Sequence, residues 1–301
     1  MKILVIGVCG QLGHDVVNEL CRRNISAVGS DITAEYRGVD IVSAPYISLD
    51  ITDAGAVSDA VLSIRPDAVI HCAAWTNVDG AEDEPQKTFN VNVTGTENIA
   101  SACALLDIPM MYISTDYVFG GDGTAPWKPD DTSFAPMNVY GETKLGGENA
   151  VRRLLKKYFI VRIAWVFGLN GGNFVKTMLR LGRTHDTLRV VNDQIGTPTY
   201  TFDLARLLCD MIATEKYGTY HATNEGGYIS WYDFACEIMR QAGLGAAVIP
   251  VTTWEYGASK ARRPFNSRLD KSKLAESGFV PLPDWRDALA RYLNELRLHS
   301  D

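Results

Sequence analysis

An α/β fold, a doubly wound parallel sheet with a smaller C-terminal lobe, is what this sequence predicts, and three observations carry it. Short β-branched runs alternate with helix-period segments from residue 2 to residue 162, the pattern of strands joined by crossover helices. The first run, 2–6, passes through closely spaced glycines into an apolar-periodic stretch at 16–20. Beyond residue 168 the alternation loosens, as it would in a second lobe with mixed connections. A chain of 301 residues with 46% hydrophobic content can bury one large core, or a large domain and a smaller one.

Each element has its own signal. Residues 26–30 read as a second strand ending at Asp31, and 46–49 as a third ending at Asp50-Ile51. Thr52 or Asp53 is placed to cap a helix running to Arg65. Residues 67–71 form a fourth strand, opening into the small residues Cys72-Ala-Ala74 and then Trp75-Thr76. A long helical stretch over 85–106 carries Asn92 and Asn98, with Asn92 a candidate tie between strands. Residues 110–114 and 158–162 give the fifth and sixth strands, on either side of a helix that starts at Asn138. In the second half, 173–183 and 202–214 read as helices, 218–221 as a strand rejoining the sheet, and the segment after Asp284 as a closing amphipathic helix. The expected division is 1–168 for the sheet domain and 169–301 mainly for the second lobe, with a segment near 190–222 returning to the sheet.

The glycine run, Gly7-Val-Cys-Gly10-Gln11-Leu12-Gly13, gains meaning from the strand before it and the helix after it. Gly7 permits a tight turn, Gly10 lets a pyrophosphate approach the backbone, and Gly13 lets helix pack on strand. The phosphates would lie at the helix N-terminus, where unpaired N–H groups favour an anion. The sheet is therefore expected to be of Rossmann type and to bind a dinucleotide. Asp31 suits the adenosine ribose hydroxyls and would repel a 2′-phosphate, which favours NADH over NADPH, while Arg37 could reach such a phosphate. Asp50 and Ile51 suit the adenine amino group and ring face. Ala74, Trp75 and Thr76 leave room for the cofactor backbone at a strand's carboxyl end.

The chemistry is expected between Ile113 and Glu148. Thr115 and Asp116 would sit at the lip of the fifth strand, and Tyr140 and Lys144 are spaced to share one helix face, about 5–6 Å apart at Cβ. A Lys charge at ~4 Å contributes about 4 kcal/mol at an effective dielectric of ~20. That would bring a phenol down from about 10 toward the operating pH, where a proton donor works best. Tyr256 and Lys260 repeat the spacing without the strand-end context and read as a surface helix pair. Trp165, Phe174, Arg262 and Arg263 bring aromatic and guanidinium groups to the second lobe, suited to a planar, phosphorylated ligand.

Net charge of −7 without a basic run argues against nucleic acid or an anionic membrane as partner. No apolar stretch approaches the roughly 18 residues of a membrane span. The strand-like start predicts a chain without a signal peptide. Cys9, Cys21, Cys72, Cys103, Cys209 and Cys236 are scattered singly through apolar segments, which predicts reduced core thiols in a cytoplasmic protein. The five histidines lack ligand-like spacing with cysteines or acids, so no metal site is expected.

Taken together, Gly7-x-x-Gly10-Gln-Leu-Gly13, Ser114-Thr-Asp-Tyr-Val-Phe119 and Asn138-Val-Tyr-Gly-x-Thr-Lys144-Leu resemble the extended short-chain dehydrogenase/reductase superfamily. Within it, Asp193-Gln-x-Gly-x-Pro-Thr199, Ser230-Trp-Tyr and Arg263-Pro-x-Asn-Ser-x-Leu269 are similar to the dTDP-4-dehydrorhamnose reductase family. The resemblance implies NADPH or NADH as cofactor and hydride transfer to C4 of a 4-keto-6-deoxyhexose on a dTDP carrier. It implies Tyr140 as proton donor, Lys144 as its tuner and ribose ligand, and Thr115 as the group that orients the keto oxygen. Thr115, Asp116 and Trp165 are implied as sugar contacts, and Gly10, Gln11, Leu12, Asp31, Asp50, Ile51, Ala74, Trp75 and Thr76 as cofactor contacts. Some members are described as dimers bridged by magnesium. Only Asp15 suggests that metal here, so the expectation is a possible homodimer and no metal ligands. The alternatives are another sugar-nucleotide 4-ketoreductase or an epimerase, and a non-catalytic regulatory subunit on the same scaffold.

Overall fold

Parallel pairing dominates the computed structural model, which describes residues 1–39, 44–257 and 259–299. In chain order the first half comprises β1 (Lys2–Ile6), α1 (Gln11–Arg22), β2 (Ser26–Asp31), β3 (Tyr46–Ser48), α2 (Ala54–Ile64), β4 (Ala68–His71), α3 (Val78–Asp83), α4 (Pro85–Phe89), α5 (Thr96–Leu106), β5 (Met110–Thr115), α6 (Val139–Leu154) and β6 (Tyr158–Ile163). The second half comprises β7 (Val166–Phe167), α7 (Phe174–Gly182), β8 (Thr187–Val191), β9 (Ile195–Gly196), β10 (Thr199–Tyr200), α8 (Thr201–Ile212), β11 (Gly218–His221), β12 (Ile229–Ser230), α9 (Trp231–Ala242), β13 (Ala247–Val251), α10 (Thr253–Tyr256), α11 (Ser272–Glu276) and α12 (Trp285–Leu298).

Seven strands form the central sheet in the order β11-β6-β5-β4-β1-β2-β3. Each neighbouring pair is parallel, which gives a doubly wound sheet. Strand order runs one way from β1 to β3 and the other way from β4 outward, so the crevice where ligands bind such sheets opens beyond the carboxyl ends of β1 and β4. The strands of the sheet's centre are buried on both faces, which is why they read as continuous apolar runs rather than alternating ones. One core cluster joins the sheet to α1 and α8 through Val16, Leu20, Leu204 and Leu208. The other face packs α2, α5 and α6 through Val57, Val61, Ile99 and Val151.

The strand 218–221 does rejoin the sheet, as its edge beside β6. A separate cluster, with Phe167, Phe234, Trp285 and Tyr292 at its centre, holds the second lobe together. The predicted caps are met by side chains. Asp53, not Thr52, accepts from Ala56 N at the start of α2. Asn138 accepts from Gly141 N at the start of α6. A further cap, not predicted from the sequence, is the capping box of Ser230 and Asp233 on α9.

Three expectations are corrected. The stretch 85–106 is not one regular helix, because a π-helical turn at Asn90–Gly95 separates α4 from α5. Tyr256 and Lys260 do not share a helix: α10 ends at Tyr256 on a left-handed Gly257, and Lys260 reaches Asp83 instead. Only Cys103 and Cys209 are buried, the other four thiols being half-buried. Between Asp31 and Asp50, residues 40–43 lie outside the described residues. No helix among the described residues is long and apolar enough to cross a membrane.

Candidate active site

A cavity of about 960 Å³ follows the carboxyl ends of the strands, and the predicted cofactor, catalytic and sugar-contact residues line it together. At one end is the glycine turn. Gly7 has φ +92°, and a Cβ there would meet Ala73 N at 2.5 Å, so the turn and the approach to β4 both require glycine. A Cβ on Gly13 would lie 2.1 Å from the Gly7 carbonyl, which fixes how closely α1 packs on the turn. The N-cap of α1, Gly10, offers no side-chain acceptor, and its first turn holds no acid. Those N–H groups therefore fit phosphate oxygens, the test a dinucleotide has to pass here.

Asp31 lines the cavity, but its carboxylate is also used locally. Oδ2 accepts from Cys9 N at 2.9 Å and Oδ1 from Ile32 N at 2.8 Å. Asp50 accepts from both the N–H and the hydroxyl of Thr52. Asn92, within the π-helical turn, accepts from Trp75 N at 2.8 Å and donates to Trp75 O and to the Thr143 hydroxyl. It thereby ties the 74–76 loop to α6, rather than strand to strand as the sequence suggested. Its neighbour in the expectation, Asn98, donates to Ile51 O at 2.9 Å and so fixes the turn that follows β3.

The catalytic corner is where β5 ends against α6. Lys144 is buried, its Nζ donating to Ile113 O at 2.7 Å and lying 4.1 Å from the centre of the Tyr112 ring. Burial drives its pKa down to about 7, with Glu148 and Cys72 pulling upward. Tyr140 is half-buried and edge-on to Tyr117. Burial pushes its hydroxyl up, the Thr115 hydroxyl works downward, and Asp116 adds to the rise. This corrects the expectation that Lys144 makes the phenol acidic: the ammonium is turned to a backbone carbonyl, and desolvation dominates both groups. Asp116 is buried too, its pKa raised to about 6 by burial against the downward pull of the Ser267 and Thr115 hydroxyls.

Behind this corner lies a buried ion pair. Glu148 accepts from Arg162 Nε at 2.8 Å and from Arg162 Nη2 at 2.8 Å, and also from the Ser114 hydroxyl at 2.6 Å. Because Glu148 follows Lys144 by one turn of α6, the Ser114 bond pins the end of β5, and the ion pair the end of β6, to the helix that carries Tyr140.

The opposite wall belongs to the second lobe. Trp165, in a left-handed conformation at φ +51°, stacks flat on Trp231 with ring centres 3.8 Å apart. Phe174 packs on Trp231 at 4.5 Å. Gly196 makes room for this, since a Cβ there would meet the Trp165 ring at 2.8 Å. Arg263 is half-buried and bonded to Asp79, whereas Arg262 is exposed. A second cavity of about 310 Å³ adjoins the first and shares Tyr117, Phe174, Trp231 and Arg263 with it. Trp231, Tyr117 and Lys87, which lies 5.0 Å from the centre of the Trp75 ring, were not among the predicted site residues. Trp231 had a signal in the Ser-Trp-Tyr motif and Tyr117 in Ser114-Thr-Asp-Tyr-Val-Phe119, while Lys87 had none.

Similarity to known proteins follows the same layout. The family model described as RmlD substrate binding domain matches residues 1–298. The Bacillus subtilis spore coat polysaccharide biosynthesis protein SpsK is 40% identical, over 98% of this chain and 97% of its own. The Streptomyces griseus dTDP-4-dehydrorhamnose reductase is 42% identical, over 95% of this chain and 91% of its own. A crystal structure of dTDP-4-dehydrorhamnose reductase from Bacillus anthracis in complex with NADP superposes with a TM-score of 0.89 at 39% identity, covering 98% of this chain and 99% of that one. A glycine turn, a Tyr–Lys corner and an aromatic second wall, set in a chain matched end to end by such relatives, place this protein in the RmlD substrate binding domain family, to which the dTDP-4-dehydrorhamnose reductases belong.

Proposed function

We propose that this chain is an oxidoreductase that uses NADPH or NADH to reduce the C4 keto group of dTDP-4-dehydro-L-rhamnose to dTDP-L-rhamnose. The observation that carries the reading is the convergence of Thr115, Tyr140 and Lys144 in the one cavity that also contains the uncapped start of α1. The reduced dinucleotide, when bound, would supply the hydride from its nicotinamide. The residues 7, 10–12, 31, 50–51 and 74–76 would hold the cofactor, with the pyrophosphate at the start of α1.

Tyr140 would give its hydroxyl proton to the oxygen on C4 as that oxygen gains charge. A phenol kept protonated by burial is the form such a donor needs at the outset. Thr115 would donate to the same oxygen and hold it between the two hydroxyls. Lys144, poised near neutrality, would bond the cofactor ribose and return a proton to Tyr140. Asp116 and Trp165 would position the sugar, and the smaller cavity would take the nucleotide end. We assign residues 1–168 to the cofactor domain and 169–301 mainly to the substrate lobe, with the 190–222 segment returning to the sheet. Six free cysteines fit a reducing, cytoplasmic setting.

The test is oxidation of NADH and NADPH with dTDP-4-keto-6-deoxy-L-lyxo-hexose beside its UDP and GDP analogues. Turnover with the dTDP sugar is expected. Turnover with another nucleotide alone would reassign the substrate, and conversion without net cofactor consumption would make the protein an epimerase.

A further inference from the structure

The segment 259–263 crosses from the second lobe to α3, the short helix that follows the 74–77 loop at the cofactor cavity. One carboxylate takes most of its bonds to α3. Asp79 Oδ1 accepts from Ala261 N at 2.9 Å, from the Ser259 hydroxyl at 3.3 Å and from Arg263 Nη1 at 3.3 Å. Its Oδ2 accepts from Arg263 Nη2 at 2.8 Å. Lys260, beside it, pairs with Asp83 at the end of α3. Arg263 lines both cavities, and Asp79 lines the smaller one. The guanidinium therefore sits at their junction, where a ligand spanning the two must pass its linking group.

We infer that Asp79 is a built-in competitor for Arg263: its carboxylate occupies the guanidinium until the diphosphate of a nucleotide sugar displaces it, so Asp79 sets how tightly that anionic group is held. The inference rests on the sugar-nucleotide reading for the identity of the ligand. The chemistry follows from geometry. Asp79 contributes a negative charge to the wall of a cavity meant for an anion, and it takes the forked donor face of Arg263 that would otherwise meet phosphate oxygens. The pair is half-buried, so its disruption by a ligand is affordable. The bond from Ala261 N remains when Arg263 turns away, which keeps the strap on α3 during the exchange.

Binding of dTDP, thymidine and inorganic pyrophosphate to the full chain, measured by calorimetry, tests this. Asp79→Asn keeps an acceptor for Ala261 N and is expected to bind dTDP about fivefold tighter than wild type, with thymidine affinity unchanged. Arg263→Gln is expected to weaken dTDP at least about tenfold. The double variant should match Arg263→Gln alone, because the competitor then has nothing to compete for. Asp83→Asn, which removes an acid from the same helix, should leave dTDP affinity unchanged. Asp79→Ser replaces the Asn variant if that one fails to fold, with the same sign expected. Unchanged or weaker dTDP binding in the Asp79 variants overturns the inference, as does a gain that persists without Arg263. If wild type binds pyrophosphate but not dTDP, the nucleotide reading fails and the competition is judged on pyrophosphate. Binding of neither overturns the inference.

Discussion

The two walls of the cleft are built on different principles. On one side the ends of β5 and β6 are clamped to α6 by the Ser114–Glu148 hydrogen bond and the fully buried Glu148–Arg162 pair, so Thr115, Tyr140 and Lys144 are positioned by regular structure. On the other, Trp165, Phe174 and Trp231 come from separate segments and are held by ring stacking, with Arg263 tied down by a half-buried ion pair. On the proposed function, chemistry that needs sub-ångström placement falls to the rigid wall, and recognition of a large flexible ligand to the adaptable one. Removing a group from the first wall should therefore reduce rate or stability, whereas removing one from the second should reduce affinity.

The largest effect is expected at Tyr140. Tyr140→Phe removes the proton donor and keeps the ring against Tyr117, so kcat should fall by roughly 10²–10⁴-fold while cofactor affinity is retained. Steady-state rates beside cofactor titration check it, and a variant with near-normal kcat would assign the proton to another group. Next comes Glu148→Gln, which leaves Arg162 buried without its countercharge and should cost about 3–5 kcal/mol in denaturant unfolding. Burial works upward on the Glu148 carboxyl, yet the Arg162 bond and charge, with Arg152 and Ser114, bring it below the ordinary carboxylate range. Its folded pKa is thus lower than its unfolded one. The stability it gives is present above the unfolded value of about 4.3 and disappears as pH falls through the folded one. The Gln variant should accordingly lose less stability than wild type on acidification below about pH 4.

On the adaptable wall, Trp231→Ala removes a stacking partner of Trp165 and a shared lining of both cavities. We expect the KM for the nucleotide sugar to rise about tenfold, in line with about 1–3 kcal/mol for the loss of a stacking platform, with kcat changed little. A drop in kcat at constant KM would show that this wall also aligns the reacting carbon.

These contrasts also explain what could be read from the chain alone. The sheet, its glycine turn and the catalytic corner were legible because each depends on residues near one another in sequence: Gly7 to Gly13 in one turn, Tyr140 and Lys144 on one helical face. Asn138 and Asp53 were legible as helix starts for the same reason. The electrostatics of the corner were not. The pair spacing suggested a Coulomb term, but the cost of burying Lys144 and Tyr140 arises from residues across the fold, as does the Ile113 carbonyl that receives the ammonium. The Asp79–Arg263 pair joins segments distant in the chain, so no local pattern tied Asp79 to the site.

The pH dependence of kcat/KM sharpens the catalytic wall further. Lys144, near 7 in the free protein, loses its charge as pH rises through that value, and Asp116, near 6, gains its charge as pH rises through that one. A bell with limbs near these two values is expected if the ammonium and the carboxylate are the working forms. Lys144→Arg should carry the alkaline limb upward, because a guanidinium stays charged, and Asp116→Asn should remove the acid limb.

The smallest effect is expected at the proposed adenine end, where Asp31 is a third kind of feature: a proposed cofactor contact whose carboxylate is already engaged. Its oxygens accept from Cys9 N and Ile32 N, so it stabilises the glycine turn and also places negative charge on the cavity wall. A charge so placed opposes a 2′-phosphate, but partial neutralisation by two N–H donors weakens the opposition. Asp31→Asn keeps an acceptor for one of the two N–H groups and removes the charge. We therefore expect the NADPH-to-NADH ratio of kcat/KM to rise only about threefold to tenfold, at the level of a single screened charge interaction of about 1 kcal/mol. Raising the salt concentration should shrink the difference between wild type and variant, because only the charge term is screened. A ratio that does not move, or one that moves equally at all salt concentrations, would mean that Asp31 acts on the turn alone and that cofactor choice is made elsewhere along the cleft.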